Sequence, residues 1–90
     1  MVTFKPHTSH GELTTDKRDD LPDSVFAFPA QRKEPLIDAS HVRNALSRFD
    51  QVDDVTDADR DLAFANIKAA AEHYDVEVSE TSWRELGKPD

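Results

Sequence analysis

Ninety residues without a single cysteine suit one small domain and exclude disulfide scaffolds, zinc fingers and thiolate nucleophiles. The formal net charge of -8 disfavours phosphate backbones and anionic lipid surfaces as partners. No apolar run approaches the roughly 20 residues that cross a bilayer, and the N-terminus lacks the apolar stretch of a signal peptide.

A cytoplasmic location and no membrane partner are therefore expected. Asp outnumbers Glu and Lys is scarce, a balance that fits both adaptation to high salt and ordinary solubility charge. At this length a chain hides only roughly 60–65% of its unfolded surface, so the core must be thin.

Residues 1–12 are polar and without apolar periodicity, and are expected to form a flexible N-terminal tail ahead of a single domain over 13–90. Thr14 to Leu21 can form one or two helical turns, stopped by Pro22 because the residue before proline avoids the α region. Val25 to Phe28 lies between Pro22 and Pro29 and reads as an extended segment, with Phe26 and Phe28 on one face. Gln31 to Glu34 reads as an exposed turn and Pro35 to Ile37 as a second short extended piece.

The first helix begins at Asp38, whose carboxylate can accept from free N–H groups of the first turn. Val42, Ala45, Leu46, Phe49 and Val52 follow at helical spacing and form one apolar stripe. Gln51 to Val55 connects it to a second helix, with Thr56 as N-cap and Asp59 completing a capping-box-like pair.

Ala63, Phe64, Ile67, Ala70, Ala71 and Tyr74 gather on one side of that helix, with Leu62, Ala65 and Ala69 nearly opposite. An element apolar on two sides is expected at the centre, between the first helix and the extended segments or C-terminus. Asp75 can take the left-handed conformation that ends a helix. Val76 to Val78 alternates like a strand, with Val25 to Phe28 as its expected neighbour. Ser82 and Glu85 have capping-box spacing, and Gly87 would close a short last helix with Trp83 and Leu86 facing inward.

The block from Leu21 to Phe49, followed by Val55 to Arg60 and Tyr74 to Val78, resembles a family of short, functionally uncharacterised prokaryotic proteins. Those proteins carry the segment LPDSxFAFPxxRKEPLxDASHVRNAxxRF. Related segments, with a core seen here as Asp38, His41, Asn44 and Ala45, occur in some phage-encoded proteins, including ones near capsid and prohead-protease genes. The resemblance spans nearly the whole chain after about residue 11. It implies no established activity, cofactor or catalytic residue, and points towards an accessory or phage-derived role.

His41 shares a helix face with Asp38 and Asn44, three residues to either side, and a His–carboxylate pair can orient an imidazole as general base. The structural reading is stronger: Asp38 caps the helix and His41 bonds to it or to a loop carbonyl. No two of His7, His10, His41 and His73 have the i, i+4 spacing of a helical metal site, so no metal is expected. With glycine only at positions 11 and 87 and no Gly-x-Ser-x-Gly elbow, phosphate cradling and serine hydrolysis lack support, and no catalytic residue or cofactor is assigned.

Arg32, Lys33, Arg43 and Arg48 could form a local basic patch around the first helix, although paired surface charges explain them better. Arg60 projects to the side of Phe64 and Ile67, where its stem can cover the core and its head can pair with Asp38 or Asp57. His41, Asn44, Arg43, Arg48 and Arg60 are the candidate binding residues.

The expected fold is α+β and mainly helical: a two-helix hairpin with short extended segments and a short C-terminal helix. Phe26, Phe28, Phe49, Phe64, Tyr74 and Trp83 are expected in one core. The function expected is a non-catalytic interaction or structural accessory module, engaging another protein or a second copy of itself. A nucleic-acid-associated factor using Arg32 to Arg48 is the alternative, and a small metal- or histidine-dependent enzyme the third reading.

Overall fold

The computed structural model describes residues 2–6 and 22–86. Two short strands, β1 (Phe26–Phe28) and β2 (Lys33–Pro35), precede two helices, α1 (Ala39–Arg48) and α2 (Asp57–His73). Single 3-10 turns lie at Asp23–Val25, Phe49–Gln51 and Trp83–Glu85. The fold is thus α+β and mainly helical. No helix among the described residues is long and apolar enough to cross a membrane. The expected helical turns over Thr14 to Leu21 and the stop at Gly87 lie outside the described residues.

The strands pair antiparallel, with Phe26 opposite Pro35 and Phe28 opposite Lys33. The second strand therefore starts earlier than the sequence suggests, and the turn is confined to residues 29–32. Arg32 at φ 54° and Glu34 at φ 57° supply the left-handed backbone that brings the chain round. Pro35 is tolerated because a two-stranded ribbon leaves each strand one free edge. The Leu36 N–H then donates to the Val25 carbonyl at 2.8 Å and prolongs the contact.

This pairing displaces the expected one between Val25–Phe28 and Val76–Val78. The latter segment is not a strand; Val76 and Val78 instead lean half-buried on the core. A partner a few residues away costs far less loop-closure entropy than one some fifty residues on. The chain also turns sharply at Asp75, φ 59°, and the Val76 N–H is drawn back to the Ala71 carbonyl at 2.7 Å.

α2 touches β1, α1 and the Trp83 turn, so it is the central element. Its main stripe is buried at Ala63, Phe64, Ile67, Ala70 and Ala71, while Leu62, Ala65 and Ala69 on the lesser stripe are half-buried. Thr56 and Asp59 form a complete capping box, each side chain bonded to the other's backbone N–H at 3.0 Å. α1 is shorter than its apolar stripe, because Phe49 already belongs to a 3-10 turn, yet Val42, Ala45, Phe49 and Val52 are all buried.

Phe49 is the hub of the aromatic core. Its ring lies 5.5 Å from Phe28, 6.4 Å edge-on from Phe64 and 6.3 Å stacked on Trp83, centroid to centroid. Tyr74 packs on the same cluster from the end of α2. Phe26 does not join it, contrary to the sequence expectation. It is buried instead in a small second cluster with Val25 and Ile37, under the guanidinium of Arg32 at 4.7 Å. Every residue of β1 is buried, so this strand serves two clusters rather than presenting one apolar face.

Within residues 2–6, Phe4 packs on the core and the Lys5 N–H donates to the Ser24 carbonyl at 3.0 Å. Residues 7–12 lie outside the described residues. The anchor is Asn66, fully buried on α2. Its Oδ1 accepts from the backbone N–H groups of Thr3 (2.8 Å) and Phe4 (2.9 Å). Its Nδ2 donates to Thr3 Oγ1 (2.9 Å) and the Ala27 carbonyl (3.1 Å). Two backbone N–H groups can only donate and a carbonyl can only accept, which defines the orientation of the amide.

Two outcomes follow for stability. Phe49→Ala should cost about 3–5 kcal/mol by denaturant titration, a large share of what so small a domain possesses. Asn66→Ala should cost about 1–3 kcal/mol and selectively speed amide exchange at Thr3, Phe4 and Lys5. Unchanged exchange there would show that the N-terminal segment is held by other contacts.

Candidate recognition site

His41 sits in the first turn of α1. Asp38, extended at φ -162°, ψ 177°, precedes it as N-cap. One carboxylate oxygen, Oδ1, takes both the His41 backbone N–H and the His41 Nδ1, each at 2.8 Å. The imidazole is thereby part of the cap. Partial burial works to raise the Asp38 carboxyl, but the His41 backbone N–H, the imidazole and the Ser40 N–H outweigh it and hold it below its ordinary value of 3.8. Tyr74 lies close enough to feel that charge: burial first, then Asp38, push its hydroxyl above 10.0.

Arg43, Asn44 and Arg48 are exposed on the outer side of α1, and their side chains make no hydrogen bond or ion pair among the described residues. Arg32 and Lys33, by contrast, are engaged. Arg32 pairs with Asp23, and Lys33 Nζ donates to the Asp53 carbonyl at 3.0 Å. Among the described residues no three His, Cys, Asp or Glu side chains gather as a metal site, and His7 and His10 lie outside those residues.

Arg60 belongs elsewhere. Its Nη1 donates to Asp57 Oδ1 at 2.9 Å, one of the two acidic partners expected from the sequence. Its guanidinium also stands 5.5 Å from the centre of the Trp83 ring. Arg84 approaches the same indole at 4.5 Å, and its Nη2 is 3.8 Å from Asp57 Oδ2. Trp83 Nε1 donates to Asp61 Oδ1 at 2.6 Å. One aromatic ring is thus flanked by two cations and tied to α2 by a carboxylate.

The backbone holding this turn is fixed at both ends. Glu85 Oε2 accepts from the N–H groups of Thr81 (2.6 Å) and Ser82 (2.9 Å), and Ser82 Oγ accepts from the Arg84 N–H at 3.3 Å. The Ser82–Glu85 capping box is present, although the helix it opens is one 3-10 turn rather than a longer piece. A cleft of about 250 Å³ opens here, lined by Phe49, Asp50, Arg60, Trp83, Arg84 and Leu86.

Of the five candidate residues, only Arg60 reaches this cleft. Arg84, Asp50 and the cleft-lining role of Phe49 were missed from sequence. A partial signal existed: Trp83 and Arg84 are adjacent inside a capping box, which places an aromatic and a cation together on a fixed turn.

The Asp38 cap has a pH dependence. Because its folded-state pKa is depressed, its stabilisation is complete above the ordinary value of 3.8 and fades as pH falls through the lower folded value. Asp38→Ala should therefore cost about 0.5–2 kcal/mol near neutral pH and clearly less in strong acid, by denaturant titration at both. An equal cost at both pH values would mean that the charged cap contributes nothing.

Neither the comparison with curated proteins nor that with solved structures gives a match. A family model does match, over residues 11–81, which takes in both strands, α1 and α2 and ends just before the Trp83 turn. On that match, the chain belongs to a family of unknown function, DUF6582.

Proposed function

We propose that the protein is a non-catalytic interaction module that engages another protein through the cleft beside Trp83. One observation carries this reading: an aromatic ring flanked by two guanidinium groups lines an open cleft on a turn fixed at both ends. Trp and Arg are the side chains that dominate binding energy at protein interfaces, and a rigid turn lowers the entropy lost on docking. His41, the side chain best suited to proton transfer, is engaged with its own N-cap instead. The resemblance of the core formed by Asp38, His41, Asn44 and Ala45 to segments of some phage-encoded proteins supports an accessory role in that setting.

The alternative nucleic-acid reading is weakened by the engagement of Arg32 and Lys33 with Asp23 and Asp53, which leaves only Arg43 and Arg48 of that expected patch without a side-chain partner among the described residues of an acidic protein. A photo-crosslinking side chain placed at position 84, and separately at position 43, tests the choice in nuclease-treated and untreated native lysate. A discrete protein adduct at 84, insensitive to nuclease and absent at 43, is expected. Adducts at 43 that vanish with nuclease would overturn the reading in favour of nucleic acid.

A further inference from the structure

We infer that the cleft beside Trp83 captures the free C-terminal carboxylate of a partner polypeptide whose last side chain is apolar. The inference rests on the proposed reading of this cleft as the recognition surface, and it names the chemistry recognised. Its polar half is the pair of guanidinium groups. Each carries five N–H donors in a planar fork suited to a carboxylate. Arg60 uses its Nη1 on Asp57. Arg84 Nη2 stands 3.8 Å from the other Asp57 oxygen, beyond hydrogen-bond reach, so its side-chain donors are unused among the described residues. Contact with the indole consumes no donor of either group, so the remaining N–H donors of both stay beside the cleft.

The other half is apolar. Phe49, Trp83 and Leu86 line the same space, so a ligand must bring an apolar group within a few ångströms of its anion. For an internal Asp or Glu the carboxylate and the apolar group belong to different residues, whose separation varies with the backbone. A C-terminal residue holds the two together, since carboxylate and side chain branch from one Cα. The volume of about 250 Å³ is smaller than a drug-sized pocket and suits one terminal residue.

Asp50 lines the cleft and Asp61 holds the indole nitrogen, so a second negative charge on the ligand is repelled. The residues before the terminus are therefore neutral or basic. Capture of a C-terminal carboxylate is an established mode of peptide recognition, here achieved with side-chain donors in place of backbone ones.

Trp83 is the sole tryptophan of the chain, so its emission reports on this cleft directly. The probes are an acetylated Ala-Ala-Leu tripeptide as free acid, the same peptide as its amide, and acetate alone, each titrated into the full chain. The free acid should give a saturable change in emission, and the amide should bind at least about tenfold more weakly, a loss of about 1.4 kcal/mol. Arg84→Gln should reduce the affinity for the acid to that for the amide while leaving thermal unfolding unchanged, since Arg84 is exposed.

Equal binding of acid and amide, or no response to either, would overturn the carboxylate assignment. Acetate matching the acid would overturn the apolar half. A nuclease-insensitive adduct at position 84 alongside equal acid and amide binding would leave the cleft as the interface and remove only its carboxylate specificity.

Discussion

One buried amide ties the three parts of this fold together. Asn66 lies on the central helix, yet its four hydrogen bonds all leave that helix, three to Thr3 and Phe4 and one to the Ala27 carbonyl on β1. Burying an amide without partners would cost several kcal/mol on the scale of transfer to hydrocarbon, so its complete satisfaction is a condition of the fold. A single Asn therefore sets the position of β1 against α2 and brings the N-terminal residues over the core. Polar groups buried in this way discriminate between packings that apolar contacts alone would leave close in energy.

Around that anchor the apolar core is small and centred on Phe49. Its position in a 3-10 turn, just past the end of α1, lets one ring touch β1 through Phe28, α2 through Phe64 and the C-terminal turn through Trp83. The last of these contacts links core to surface. The face of the chain that stacks Trp83 on Phe49 also sets the indole beneath Arg60 and Arg84, so the geometry of the cleft is inherited from the hydrophobic core. Carboxylates complete it: Asp57 and Asp61, both near the start of α2, hold the cations and the indole nitrogen. Acidic residues that favour the positive end of a helix dipole thus serve a second purpose here.

Much of the local structure was legible in the residues. Asp38, Thr56 and Ser82 cap where short polar side chains preceding an apolar period should cap, because the donors they satisfy are a few residues away. Asp75 adopts its left-handed backbone after α2 for an equally local reason. The two helical stripes and the pairing of Arg60 with Asp57 follow from spacing at 3.6 residues per turn.

What only the tertiary structure decided involves residues distant in the chain. Strand pairing is one case: alternation marked Val76–Val78 as a strand, but the nearer Lys33–Pro35 occupied β1. The division of Phe26 from Phe28 into two clusters is another, since periodicity says which side chains are apolar and not which neighbours they meet. Asn66 had only a faint mark, a lone amide with Ala63 and Ala70 on either side, and its partners are 39 to 63 residues away. The cleft is the same kind of object. Phe49, Arg60 and Trp83 come from three separate elements, and no spacing within one element could have placed two guanidinium groups on one indole.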